Sequence, residues 1–321
     1  MQLFARLPVS KERVLNVRLL IGVVLTLVML QAGCTEPEPA GAPQLAVTDL
    51  YLVDLTTQSG HLVAGVPVNL TGREGFDNQP AWLPDGEAFI YSAAVDEQVD
   101  VFRYDLETGS RVRLTTTEQR EYSPAPLPAG QGFSVVRVDH DGNQQLWRFD
   151  DDGQNPAVIL EWESQLGYYA WIDRDFLALV LATDPTALTF ADADRGWVEE
   201  EPVAITVGRS VQQIPGRNAI SYIFKTGPHE WWVEELDLLT RRSRRLIRTL
   251  PKSEDHAWLP DGSLLMAADR SLYVWRTGQA AEWEEFANFS DAGLSGITRL
   301  AVSPQGEWLV IVADHTPLGQ P

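Results

Sequence analysis

The segment Ala81-Trp82-Leu83-Pro84-Asp85-Gly86 returns unchanged as Ala257-Trp258-Leu259-Pro260-Asp261-Gly262. Weaker copies lie between and after them, at Ala125 to Gly130, Tyr169 to Asp173, Gln213 to Gly216 and Ala301 to Gly306. Taking the Pro, or the residue in its place, as an anchor gives positions 84, 128, 173, 215, 260 and 304, with steps of 44, 45, 42, 45 and 44. So even a period means one supersecondary unit repeated along the chain.

Each unit reads alike. A short strand ends at the anchor, and Asp-Gly or its equivalent makes a tight turn, since Gly accepts positive φ. A second, apolar strand follows, such as Ala88 to Ala94 or Leu177 to Ala182. A third strand carries an aromatic: Phe102, Trp147, Phe190, Trp232 or Tyr273, with Tyr51 ahead of the first anchor. A polar turn (Glu107-Thr108-Gly109, Asp151-Asp152-Gly153) and a fourth strand complete the unit. Four strands per repeat is the pattern of a propeller blade. Third- and fourth-strand sequence also stands at Leu50 to Leu70, before any anchor, while the last anchor is followed only by a second strand, Trp308 to Val312. The two halves complete one blade. The expectation is an all-β, six-bladed β-propeller over residues 45–317, its last blade closed by N-terminal strands, with no open sheet edge between the ends.

The Pro-Ala-Trp-Leu-Pro-Asp-Gly motif at 80–86, with apolar residues after it and an aromatic third strand, resembles the TolB-like propeller family, a WD-like repeat group. The resemblance covers roughly residues 45–315 and is strongest in the first and fifth units. TolB proteins carry an α/β domain ahead of the propeller. The stretch between Cys34 and the first strand is too short to encode one, so the resemblance implies the propeller alone.

The N-terminus reads as an address. Arg6, Lys11, Arg13 and Arg18 precede the uninterrupted apolar run Leu19–Leu30, which is shorter than a membrane span and suits the core of a secretory signal. Gln31-Ala32-Gly33-Cys34 then resembles the lipobox of bacterial lipoproteins, with Gln31 where that family usually has Leu. The resemblance implies a signal peptide over 1–33 and lipidation at Cys34. The alternatives are an ordinary signal peptide or a short anchor helix with an incidental Cys. Residues 34–44 follow as a Pro-rich tether. In the lipoproteins it resembles, an Asp after the Cys favours inner-membrane retention, so the resemblance with Thr35 there implies the outer membrane, facing the periplasm, in a two-membrane bacterium. Cutting before Cys34 removes four basic residues and one acid, which moves the net charge from −20 to −23.

That charge argues against nucleic acid, which needs a basic footprint. One cysteine excludes a disulfide scaffold. No Gly-x-Ser-x-Gly elbow occurs, and no two of the five histidines have zinc-ligand spacing, so neither a metal nor another cofactor is expected. Asp139 to Asn143 reads as a turn, with a cation loop as the sharper alternative. The tryptophans on the repeat pattern (Trp82, Trp147, Trp171, Trp232, Trp258) read as packing between blades, and Trp162, Trp197, Trp231 and Trp283 as candidate sugar platforms. The basic run Arg241 to Arg248 falls on the outer hairpin of the fourth blade, opposite Glu230, Glu234 and Glu235. It reads as cross-strand ion pairing, or as a dock for an anionic surface.

The function expected is a monomeric, non-catalytic binding or scaffold module that engages an envelope protein or glycan through one face of the ring. The alternative is an envelope lyase or hydrolase acting on polysaccharide or peptide, with its site in the mouth. Connections from fourth to first strands share that face, and residues just before the first strand are expected to point into the mouth. The candidates are Arg120, Tyr122, Tyr168, Arg209, His256 and Arg299.

Overall fold

The computed structural model describes residues 45–315 apart from 97, 129 and 279. The leader, Cys34, the tether and the last residues of the expected domain lie outside the described residues. The chain enters through β1 (Thr48–Gln58), β2 (His61–Ala64) and β3 (Val68–Asn69). Blade 1 is β4 (Asp77–Trp82), β5 (Ala88–Val95), β6 (Gln98–Asp105) and β7 (Arg111–Arg113). Blade 2 is β8 (Arg120–Pro126), β9 (Phe133–Val138), β10 (Gln144–Phe149) and β11 (Ala157–Val158). Blade 3 is β12 (Leu166–Trp171), β13 (Phe176–Leu181), β14 (Ala187–Asp192), β15 (Trp197–Val198) and β16 (Ala204–Ile205). Blade 4 is β17 (Val207–Gln213), β18 (Ala219–Gly227), β19 (Glu230–Asp237) and β20 (Ser243–Arg248). Blade 5 is β21 (His256–Trp258), β22 (Ser263–Ala268), β23 (Ser271–Arg276) and β24 (Glu284–Asn288). The chain finishes with β25 (Arg299–Val302) and β26 (Trp308–Asp314).

These strands form six antiparallel sheets, the blades of a β-propeller. The sixth blade runs β2-β1-β26-β25, so N-terminal strands close it as the repeat predicts. β1 pairs β26 over seven residues, from Thr48↔Asp314 to Asp54↔Trp308, and the His315 imidazole pairs the buried Asp49 carboxylate at 2.8 Å. In blades 3 and 6 the outer position is split into two short strands. Both pieces pair the same neighbour, β14 in one blade and β1 in the other. Pro202 and Pro67 lie in these gaps; a proline has no N–H for the ladder, and an edge tolerates the interruption.

The second strands are buried on both faces between neighbouring blades. Phe89, Ile90, Tyr91, Val135, Leu177, Leu179, Ile220, Leu264, Val310 and Ile311 are all within a few per cent of full burial. Each such side chain contributes roughly 1.5–3 kcal/mol relative to exposure. First-strand tryptophans fasten blades 1, 3 and 5 to the blade before each. The Trp82 indole donates to the Ala301 carbonyl at 2.8 Å, Trp171 to Ser134 Oγ at 2.9 Å and Trp258 to Ser221 Oγ at 2.8 Å. Trp82 and Trp258 are buried, while Trp147 and Trp232 are half-buried beneath Arg137 and Arg245. Residues 208–212 are part of β17. Blade 4 starts its inner strand directly after blade 3, because only Thr206 separates β16 from β17.

Candidate binding mouth

The inner strands begin on the face where each outer strand hands over to the next blade, and their first residues surround the ring axis. A cavity of about 220 Å³ opens there, and every blade contributes to it. Gln79 comes from blade 1, Ser123 from blade 2, Tyr168 from blade 3, Arg209 from blade 4, Asp255 from blade 5 and Arg299 from blade 6. Five of the six stand five residues before their anchor, and Arg209 stands six before Pro215. The mouth is therefore one repeat position read six times.

Local backbone geometry aims these groups. The inner strands of blades 1 to 4 each carry a register irregularity near the mouth: Asn78/Ala81, Tyr122/Ala125, Leu166/Tyr168 and Val207/Val211. Bulges of this kind re-aim a side chain and bend the strand. Gln79 and Ser123 hold φ of 56° and 50°, a left-handed conformation that costs about 1 kcal/mol or more for a residue with a Cβ. The Ser123 N–H donates to Gln79 Oε1 at 2.8 Å, which ties blade 2 to blade 1.

The charges gather on the other side of the ring. Arg209 donates from Nη2 to the Thr298 carbonyl at 2.6 Å, and its buried Nε has no hydrogen-bond partner. Its backbone N–H meets Glu254, which also accepts from Lys225 at 2.7 Å. Arg299 reaches across the axis to the opposite blade. Its guanidinium lies 5.3 Å from the Tyr168 ring centroid and donates to the Tyr168 hydroxyl at 3.3 Å. Asp255 Oδ2 is 3.6 Å from Arg299 Nη1, and Asp255 Oδ1 accepts from the Leu300 N–H at 3.1 Å. Burial holds the Asp255 carboxyl above its usual range, against the pull of Arg299 and Arg209. Two guanidiniums face one carboxylate, so the mouth carries local positive charge inside a strongly acidic domain.

Of the sequence candidates, Tyr168, Arg209 and Arg299 line this cavity, whereas Arg120, Tyr122 and His256 are not among its lining residues. Arg120 stands eight residues before its anchor and sits beside the Tyr122 hydroxyl, while Tyr122 packs edge-on against Phe76. His256 stands four before its anchor, one residue past the mouth position. A one-residue step reverses the side chain in a strand, so the imidazole enters the seam between blades 4 and 5. There its Nε2 meets Ser221 Oγ at 2.7 Å, and burial pushes it down to about 3. Tyr169 fills the equivalent place in blade 3 and donates to Ser134 at 2.9 Å. Sequence reading missed Gln79, Ser123 and Asp255, although counting back from each anchor finds them.

The remaining motifs resolve locally. Asp139 accepts hydrogen bonds from the Asp141 and Asn143 N–H groups at 2.9 Å and from the Asn143 side chain at 2.8 Å, so its carboxylate serves its own turn. The basic hairpin is paired strand to strand: Arg244 with Glu235 at 2.6 Å, Arg245 with Glu234 at 3.6 Å, and Arg241 with Glu199 of blade 3 at 3.2 Å. A larger cleft of about 440 Å³ lies between blades 4 and 5, but its arginines are matched, Arg217 by Glu235 and Arg276 by Glu284. Trp162 is 86% exposed on the connection into blade 3, and Trp197 is exposed on an outer strand.

No protein-family model matches the chain. An uncharacterized protein of Agrobacterium fabrum is 32% identical over 80 residues, a match spanning a quarter of this chain and 27% of that protein. Among solved structures, TolB from Acinetobacter baumannii matches 84% of this chain and 64% of its own, with 13% identity and a TM-score of 0.56. A TolB candidate from Agrobacterium tumefaciens matches 84% of this chain and 99% of its own, with 11% identity and a TM-score of 0.62. A propeller in a nidogen/laminin complex matches 84% and 99%, with 12% identity and a TM-score of 0.57. The neighbours and the six blades agree on the fold: this chain has the six-bladed propeller architecture of TolB-like proteins.

Proposed function

We propose that this propeller is a binding module of a bacterial cell envelope, held to the membrane by lipid on Cys34 and engaging a protein through its mouth. The observation that carries the reading is the ring of one side chain per blade around a single cavity, with strained backbone at Gln79 and Ser123 and an unpartnered donor on Arg209. Strain and unpaired polar atoms persist where a ligand makes use of them. One fold neighbour was solved in a complex of two proteins, nidogen and laminin, which fits a protein-binding use of the architecture. The carboxylate that lines the mouth, Asp255, is held by Arg299 and the Leu300 N–H, which suits a fixed binding surface.

The anchor and the mouth are tested separately. Cys34→Ser should release the domain in soluble form or leave the leader uncut; unchanged processing and membrane fractionation would refute the lipoprotein reading. For the mouth, envelope proteins captured from solubilised membranes by the wild-type chain should be lost with Tyr168→Ala and retained with Arg242→Ala on the outer hairpin. The reverse pattern would move the interaction site to the hairpin.

A further inference from the structure

Taking the mouth as the binding site, we infer that its ligand is an acidic peptide segment, gripped by one carboxylate between Arg209 and Arg299. Three observations converge on this. First, the two guanidiniums are incompletely satisfied. Arg209 is pinned by one bond to the Thr298 carbonyl, and its buried Nε has no hydrogen-bond partner. Arg299 makes two long contacts, 3.6 Å to Asp255 and 3.3 Å to the Tyr168 hydroxyl, so its planar fork can turn with little loss. A guanidinium fork matches the two oxygens of a carboxylate.

Second, a polar group waits opposite. Ser123 Oγ is buried and has no hydrogen-bond partner. Ser123 lines the same cavity from blade 2, so a small rotation about χ1 would bring this hydroxyl to a peptide N–H or carbonyl beyond the carboxylate. Third, the aromatic groups of the mouth are already engaged. The Tyr168 ring is covered by Arg299, and the Tyr169 hydroxyl is committed to Ser134. An acidic glycan would bring the same charge but would have to stack on a tyrosine whose one face Arg299 already covers, whereas a peptide needs no aromatic platform. The cavity of about 220 Å³ takes a chain end or a loop tip and not a folded surface. The acidic domain repels such a segment at long range, so recognition depends on contact inside the mouth.

The probe is Ala-Ala-Ala-Glu with a fluorophore on its N-terminus, compared with Ala-Ala-Ala-Gln amide, which has no carboxylate. Binding to the detergent-solubilised full chain is read by fluorescence anisotropy. The free acid should bind at least tenfold tighter than the neutral peptide. Arg209→Gln and Arg299→Lys should each weaken the acid at least tenfold, with melting temperatures close to wild type, while Arg242→Ala binds as wild type does. The lysine keeps a cation beside Asp255 and removes only the fork. Equal affinity for acid and neutral peptides, or variants that bind unchanged, overturns the inference. So does unlabelled digalacturonate displacing the probe at lower concentration than unlabelled Ala-Ala-Ala-Glu, which would put an acidic glycan in place of the peptide. Capture of an envelope partner that depends on Tyr168, without preference for the acid probe, refutes the carboxylate grip and leaves the binding module standing.

Discussion

Where their inner strands begin, blades 1 and 2 place their charge inside the wall, and blades 4 to 6 place theirs in the mouth. Seven residues before the anchor, blades 1 and 2 carry Asp77 and Glu121, both fully buried, and their mouth residues are the neutral Gln79 and Ser123. The same slot in blades 3 to 6 holds Leu166, Gly208, Ser253 and Ile297. In blades 4 to 6 the charge stands forward, on Arg209, Asp255 and Arg299. One repeat thus supplies two kinds of position, one that holds the ring together and one that can meet a ligand.

The wall network is dense. Glu121 accepts from Thr115 and Thr117 and lies 3.5 Å from Arg137, whose guanidinium also covers the Trp147 ring at 4.4 Å. Asp77 pairs with Arg73 at 2.8 Å, and Asp100 with Arg113. The design repeats: Thr71 Oγ1 bridges the Leu50 N–H and Asp49, as Thr115 Oγ1 bridges the Val101 N–H and Asp100. If wall charges serve stability and mouth charges serve binding, stability should respond far more strongly to changes in the wall.

The largest effect expected is from Arg137→Ala, which leaves Glu121 buried without its cation and should cost about 3 kcal/mol. Urea unfolding at pH 8 measures it; a loss no greater than that of Arg209→Gln would erase the distinction. Next comes pH. Burial pushes Asp77 up to about 6 and Glu121 up to about 7, from ordinary values of 3.8 and 4.5. The folded protein then keeps these protons to higher pH than the unfolded chain. Their contribution is complete below pH 4 and is lost as pH rises through 6 and 7.

Relative to wild type, Asp77→Asn with Glu121→Gln should therefore gain stability between pH 5 and 8, by on the order of 2 kcal/mol. Taking the difference cancels His256, whose contribution runs the other way. It is present above pH 6.5 and fades as pH falls toward 3. A flat difference across this range would mean that the wall acids are ionised in the fold without penalty.

In the mouth, Arg209→Gln removes one hydrogen bond to a carbonyl and should cost no more than about 1 kcal/mol. Thermal melting checks it, and a loss of several degrees more than Arg242→Ala would make Arg209 a wall residue. The smallest effect has the opposite sign. Ser123→Gly relieves a φ of 50° and should stabilise by about 0.5 kcal/mol while weakening ligand binding.

The period made the blades readable, because Trp82, Trp171 and Trp258 mark the same inner strand and Asp-Gly marks the turn after it. Ring closure was readable from the incomplete units at Leu50 to Leu70 and Trp308 to Val312. The mouth was only half readable. Bulges add residues to the inner strands of blades 1 to 4, and blade 4 counts six residues where the others count five. A search by residue type favoured Arg120 and His256, whose charge or imidazole suggests a ligand, over Ser123 and Asp255, which hold the repeat position itself. The wall acids gave one faint signal, the repeated Leu-Thr pairs at 70–71 and 114–115 six residues before Asp77 and Glu121. Nothing in their type distinguishes a buried carboxylate from a solvated one; only the hydrogen bonds that surround it do.

The seam of the sixth blade also sets a timetable. Asp49 and His315 meet across 266 residues, so the first strand made is among the last to be paired. Until β26 arrives, β1 offers Leu50, Tyr51 and Val53 along an unsatisfied edge, while blades 1 to 5 can assemble from local hairpins. Contacts of such long sequence separation slow folding and prolong the exposure of sticky edges. A chain delivered through a membrane N-terminus first would hold that edge open for the whole of its passage, and escort by a holdase would matter most in that interval.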